Sequence, residues 1–382
     1  MEFDLQWLLL GLPVAFALGW LASRLDLRQW KREAESSPRA YFKGLNLLLN
    51  EQQDKAIDAF IEAVQHDPGS SDLHFALGNL FRRRGEYERA VRVHQHLLQR
   101  GDLPQADRER AQHALAQDYM KAGLFDRAEA AFQSLQGTPF ETESRLALLG
   151  LHERSRDWPA AVQVATLLEQ SGTGSFAGRI SHYWCEQAQQ ALDRGDETLA
   201  HQALERAQKA SPHAARPLLM QAQRLLNRGA AGEALDLCAR LQHQNPEAFV
   251  LGAGLLVDAA QACGRLDNAR SLLQHTLNLH PSLDLLRALA RLDGRALGDD
   301  PALLNLMATQ PSLSAAQELL ALPGGPRDDA ALALVREAVA RGARPLQRWR
   351  CAACGFEAQR YFWQCPGCLS WDSYPAHRVE EQ

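Results

Sequence analysis

The sequence predicts an all-α chain: a superhelix of helix-pair repeats, preceded by a transmembrane helix and followed by a small metal-binding knuckle. Three observations carry this expectation. From about residue 37 apolar residues recur at helical spacing without strand-like alternation, and the pattern repeats with a period near 34. Residues 5–22 form a run of eighteen without a charge. Close to the C-terminus, four of the seven cysteines fall within the eighteen residues 351–368. In order, the expected parts are an anchor (1–23), a basic juxtamembrane linker (24–36), the repeats (37–282), a helical cap (283–345) and the metal module (346–382).

As a helix the run over 5–22 is about 27 Å long, enough to cross a hydrocarbon core. Trp7 and Trp20 sit near its ends, where interfacial aromatics are favoured, and Gly11, Pro13 and Gly19 are tolerated inside such a span. The rival reading is a cleaved signal peptide. That would place Lys or Arg before the run, where this chain has Glu2 and Asp4. Arg24, Arg28, Lys31, Arg32, Arg39 and Lys43 follow it, so the body of the chain is expected on the cytoplasmic side. The same cations suit anionic headgroups.

The repeats match the tetratricopeptide pattern: a small residue within the first helix, Ala early in the second, a large apolar residue four later and Pro at the end. Gly44, Ala56, Phe60 and Pro68 supply the first copy; Leu77, Gly78, Phe81, Gly85 and Ala90 the second. The third has Ala116, Gly123, Ala128 and Phe132, and the fourth is degenerate, with Trp158, Ala161, Ala165 and Leu168. Ala200, Leu204 and Pro212 mark the fifth, Ala222, Ala234 and Pro246 the sixth, and Gly264, Ala269, Leu273 and Pro281 the seventh. Ala56 to Ala90 and Ala200 to Ala234 are each 34 residues, and Ala234 to Ala269 is 35. Ala90 to Ala128 is 38 and Ala161 to Ala200 is 39, fitting insertions around 101–104 and in the Gly-rich loop 171–178. That loop lacks the lysine and preceding strand of a phosphate-binding loop and reads as a connection between repeats. The run Arg82-Arg83-Arg84 reads as a solvated helix end, where cations suit the dipole. Beyond residue 283 the repeat fades into helices expected at 301–309, 314–322 and 328–341, with a break at 323–326.

Cys351, Cys354, Cys365 and Cys368 form two C-x-x-C pairs ten residues apart. Two intervening residues let both sulfurs of a pair face one centre from a tight turn, and Gly355 and Gly367 are expected to supply the backbone freedom. Two such turns make a closed tetrathiolate site for zinc, or a rubredoxin-like site for iron. Two disulfides or unligated thiols are the alternatives. A module this small depends on the ion for folding, worth about 10–16 kcal/mol in comparable zinc peptides. Its dense aromatics, Trp349, Phe356, Tyr361, Phe362, Trp363 and Trp371, exceed what it could bury alone, so it should dock on the helices. Cys185, Cys238 and Cys263 are isolated on helical segments and read as small apolar residues. Cysteines grouped for metal, without a disulfide framework, point to a reducing compartment.

Net charge is −5, with 46% hydrophobic and 23% charged residues, and no basic stripe of the kind nucleic acid requires. The thirteen histidines form no metalloprotease-type pair, and neither a nucleophile motif nor paired carboxylates appear. The chain is therefore read as a non-enzyme with no catalytic residues.

Anchor, repeats and knuckle pair, in this order, resemble the lipopolysaccharide assembly protein B family. The most specific match is Cys351-x-x-Cys354-Gly355-Phe356 with Trp363-Gln364-Cys365-Pro366-x-Cys368 and Trp371. The resemblance implies a Gram-negative inner-membrane protein facing the cytoplasm. It implies an adaptor for the membrane protease FtsH that promotes turnover of the deacetylase LpxC, with other lipopolysaccharide assembly proteins as further partners. It carries over Cys351, Cys354, Cys365 and Cys368 as metal ligands and no residue of the repeats. Two competing readings are a passive scaffold for lipopolysaccharide enzymes and a rubredoxin-like electron carrier. The charge asymmetry around residues 5–22 predicts that a reporter fused after Gln382 is active in the cytoplasm; activity confined to the periplasm reverses the topology.

Overall fold

The computed structural model describes residues 42–297, 300–309, 312–320 and 339–381, together with Phe16, Trp20 and Glu337. The expected span over 5–22 otherwise lies outside these residues, as do the break at 323–326 and most of the helix expected at 328–341. Among the described residues no helix is long and apolar enough to cross a membrane.

The chain divides into two units, with the boundary between Arg156 and Asp157. The first is helical over 42–49 (α1) and continues through α2 (Gln53–His66), α3 (Ser71–Arg84), α4 (Tyr87–Gln99), α5 (Gln105–Lys121), α6 (Phe125–Gln133) and α7 (Glu141–Ser155). The second holds α8 (Trp158–Gln170), α9 (Ala177–Asp193), α10 (Glu197–Ala210), α11 (Ala215–Asn227), α12 (Ala231–Gln244), the single turn α13 (Pro246–Phe249), α14 (Ala253–Cys263) and α15 (Leu266–Leu279). It ends with α16 (Leu283–Asp293), α17 (Pro301–Thr309), α18 (Leu313–Leu320) and a two-stranded module. Within each unit helices that follow one another pack together, α3 on α4, α4 on α5, α9 on α10 and α11 on α12 among them.

Side-chain signals mark the ends. Asp157 accepts from the Ala160 N–H and Asp196 from the Leu199 N–H, so a carboxylate satisfies a free donor at the start of α8 and of α10. Asn245 and Ser282 do the same for α13 and α16. The turn after α3 passes through Gly85 at φ 84°, a left-handed cap that glycine adopts without strain. After α7 the same conformation falls to Arg156 at φ 57°. The fourth repeat therefore lacks a glycine signal although the turn persists.

The packing follows the 34-residue pattern. Ala56, Ala90, Ala128, Ala161, Ala200, Ala234 and Ala269 are each fully buried, one in every expected repeat. Four residues on, Phe60, Phe132, Leu204 and Leu273 are also buried. Each such side chain contributes about 1.5–3 kcal/mol by leaving water. Phe60 lies on Gly44, where an added Cβ would sit 2.7 Å from the ring. In the second repeat the slot four after Ala90 holds His94, and Gly78 faces it.

A polar side chain in an apolar slot needs a partner, and His94 has one. Its Nδ1 lies 2.5 Å from Asp118 Oδ2, and neither side chain reaches solvent. The other carboxylate oxygen accepts from Arg82 at 2.8 Å, and the same guanidinium group donates to the Ala114 carbonyl. Arg82 is thus an inward-facing partner, not part of the solvated end expected for the Arg82–Arg84 run. Its partner stands 36 residues downstream on α5, beyond the reach of a local reading.

In the second unit a continuous apolar cluster runs from Ala215 through Leu235, Leu256 and Leu273 to Leu292. A further cluster joins Leu283 and Leu286 to Leu303, Leu306 and Ala315, so the fading repeat still forms a packed helical cap. Replacing Gly78 by Ala should cost about 2 kcal/mol, because the new methyl displaces a His94 that Asp118 and burial hold in place. Urea unfolding followed by circular dichroism checks this.

Candidate metal centre

The module is built from two similar turns. Strands β1 (Trp349–Arg350) and β2 (Glu357–Ala358) pair antiparallel, Trp349 opposite Ala358, and carry the first knuckle between them. A lone bridge between Gln364 and Trp371 frames the second. In the first, Cys351 N–H donates to Phe356 O and Gly355 N–H to Cys351 O, both at 2.9 Å. In the second, Cys365 N–H donates to Ser370 O at 2.9 Å and Leu369 N–H to Cys365 O at 2.8 Å. Gly355, four residues after Cys351, has φ 77°. The matching position in the second turn is Leu369, at φ 61°. The expectation that Gly367 supplies this freedom is therefore corrected. Gly367 is small for another reason, since a Cβ there would press on the Phe356 ring at 3.2 Å.

The turns bring Cys351, Cys354, Cys365 and Cys368 together, with all four sulfurs within 4.8 Å of one another. Cys351 Sγ lies 3.8 Å from Cys368 Sγ, and Cys354 Sγ 3.7 Å from Cys365 Sγ. A disulfide would need about 2.05 Å. A tetrahedral ion with bonds of about 2.3 Å to sulfur has edges of about 3.8 Å, so the cluster fits one tetrathiolate ion. Cys351 and Cys365 are buried, whereas Cys354 and Cys368 are exposed.

The surroundings favour thiolates but not four of them unaided. Burial works against the Cys351 thiolate, yet the Ser373 hydroxyl and the N–H groups of Cys354 and Ala353 hold it down to about 6. The Ser370 hydroxyl and N–H hold Cys368 below the usual thiol range. At Cys354 the Phe356 N–H favours the thiolate, but burial and the neighbouring cysteines prevail and push the thiol up to about 12. A cation at the centre removes that conflict by neutralising the sulfurs. Zinc and iron both suit this donor set, and four protein ligands leave no open position for a substrate.

The module sits on the helices of the second unit. Trp371 stacks on His182 of α9, with ring centres 4.7 Å apart, and meets Trp158 and Tyr183 edge-on. His182 Nε2 lies 2.8 Å from both Asp372 carboxylate oxygens. Trp363 packs against the long apolar cluster. The tail then crosses the cap. Arg378 pairs with Asp284 at 3.1 Å. Glu381 accepts from the Leu283 N–H at the start of α16, and Glu380 from the Ser314 N–H at the start of α18. A cavity of about 400 Å³ lies along the seam, lined among others by His182, Arg216, Asn245, Trp363 and Tyr374.

The four predicted ligands thus converge, and the aromatic module docks as expected. Cys185 and Cys238 stay buried in the helices, where burial pushes each thiol up to about 12. Cys263 is half-buried and equally apart from the cluster. The residues that sequence reasoning missed are His182, Asp372, Ser370, Ser373, Glu380 and Glu381. Ser370 and Ser373 flank the second knuckle, a local hint; the partners of the others stand 66 or more residues away.

Comparison with known proteins agrees with this architecture. A family model described as a rubredoxin metal-binding domain matches residues 349–374. Tetratricopeptide-repeat models match 73–109, 113–175 and 185–249. Lipopolysaccharide assembly protein B of Escherichia coli is 32% identical over 380 residues, covering 97% of each chain. The protein of the same name from Haemophilus influenzae is 27% identical, again over 97% of each. A solved tetratricopeptide repeat protein from Parabacteroides merdae is 15% identical with a TM-score of 0.34, covering 68% of this chain and 100% of that one.

Cys354→Ser should abolish stoichiometric metal binding, since three thiolates and a hydroxyl no longer close the site. Elemental analysis of the purified chain should fall from about one ion per chain to a small fraction of that; full retention in the variant rejects the ligand assignment.

Proposed function

The chain belongs to the lipopolysaccharide assembly protein B family, and on that footing we propose that it is a non-enzymatic adaptor regulating lipopolysaccharide synthesis. In this reading it is held at the inner membrane by residues 1–23, faces the cytoplasm, and presents LpxC to the protease FtsH. The observation that carries the reading is the closed four-sulfur site on a docked module. A site without an open ligand position is built to hold shape, and the shape it holds is a seam between the module and the helices. In this reading such a surface serves binding.

Anchoring supplies the rest of the mechanism. A soluble substrate bound by a membrane-tethered adaptor meets a protease in the same bilayer at a much higher effective concentration. The adaptor then accelerates destruction through proximity alone. Its metal ion, zinc or iron, acts through the stability of the module. Other lipopolysaccharide assembly proteins are further partners in this proposal.

The test is a chase of LpxC after protein synthesis is blocked, with and without this protein. Depletion should lengthen LpxC lifetime several-fold, and removal of residues 1–22 should reproduce part of the effect, in line with the lost effective concentration. Identical decay in both strains rejects the adaptor role and leaves a passive scaffold.

A further inference from the structure

Three consecutive residues face two ways. Trp371 and Asp372 make the contacts with His182 on α9. The next residue, Ser373, has its hydroxyl 3.2 Å from Cys351 Sγ. Its carbonyl accepts from the Ala352 N–H inside the first knuckle at 2.7 Å. The Ser373 hydroxyl oxygen also lies 3.2 Å from the Ser370 carbonyl oxygen, so its one hydrogen serves either that carbonyl or Cys351 Sγ, and Ser370 Oγ lies 3.3 Å from Cys368 Sγ. The docking contact and the groups around two of the four sulfurs therefore share one short stretch of backbone.

The conformation of that stretch is specific. Asp372 has φ 49°, in the left-handed region that glycine enters freely and Asp or Asn enter as single residues with local hydrogen bonds. Such a residue persists where its surroundings over-determine it. Inside the module the Asp372 N–H donates to the Trp363 carbonyl at 2.9 Å. From outside, the carboxylate is gripped through both oxygens by a histidine that is only 3% exposed.

We propose that His182 is a positioning residue of the metal site, although it lies 169 residues before the first ligand in the sequence. By fixing Asp372 it fixes Ser373 against Cys351 and, through Ser370, the hydroxyl beside Cys368. Groups that hydrogen-bond to metal ligands orient them, and losing one costs about ten- to a hundredfold in metal affinity. Here the orienting groups are themselves oriented from the helices. Docking and metal retention are then linked, and the linkage is reciprocal: each favours the other by the same factor. The inference concerns the chain alone and stands whether or not the adaptor reading holds.

The experiment uses the full chain in detergent, loaded with zinc, and follows release of zinc to a chromogenic chelator. His182→Ala should speed release about tenfold, the lower end for loss of an outer support. His182→Gln, whose amide can still donate to Asp372, should recover much of the difference. Asp372→Asn keeps a residue that tolerates the left-handed region and guards against a variant that fails to fold; it should also release zinc several-fold faster. In the reverse direction, removing zinc from the unaltered chain should raise amide hydrogen exchange in α9. Unchanged zinc release in both His182→Ala and Asp372→Asn overturns the proposal, whether or not exchange shows the module loosened.

Discussion

Helix pairs stack only where a small residue on one helix meets a large one on the next, and this constraint underlies everything the chain builds. Gly44 admits Phe60, and Gly78 admits His94 one period later. The buried alanines from Ala56 to Ala269 let the helices of each repeat approach. Interiors at crystal-like density leave no slack, so the choice at one position dictates its opposite number. His94 illustrates the cost of departing from the rule. A ring that fits by shape but carries nitrogens requires Asp118, and the buried carboxylate in turn requires Arg82.

The metal module obeys a different constraint. With fewer than forty residues, two short strands and a core centred on Cys351, Ala358, Cys365 and Tyr374, it buries too little apolar surface to fold unaided. Two additions compensate. Four sulfurs at tetrahedral spacing fit an ion that ties the turns together. The aromatic excess is spent against α8, α9 and the long cluster of the second unit, where Trp371 and Trp363 lie. The surface that makes the module insufficient by itself is the surface that seats it.

Much of this was legible in the sequence because small residues and cysteines advertise their roles locally. An alanine every 34 residues, or two C-x-x-C pairs, carries its reason within a short window. What escaped was written over long separations or in the wrong residue type. Arg82 looked solvated because Asp118 lies on another helix. Leu369 holds a left-handed turn that glycine would be expected to hold, while the nearby Gly367 is small only to admit the Phe356 ring. Arg156 hides the turn of the fourth repeat in the same way. His182 is one histidine among thirteen, and nothing near it in sequence points to Asp372.

The tail over Arg378–Glu381 has a consequence of timing. Its contacts with Asp284, Ser282 and Leu283 span 94 to 99 residues, and that with Ser314 spans 66. During synthesis the helices emerge long before the carboxylates that cap them. At ordinary elongation rates, about 5–20 residues per second, α16 waits on the order of ten seconds with its first amide groups unmatched by the tail. The cap is thus assembled provisionally and locked late, by residues made 66 to 99 positions after the ones they hold. A chain stalled before residue 378 would carry α1 to α18 and all four cysteines of the knuckles yet lack the carboxylates that meet the starts of α16 and α18.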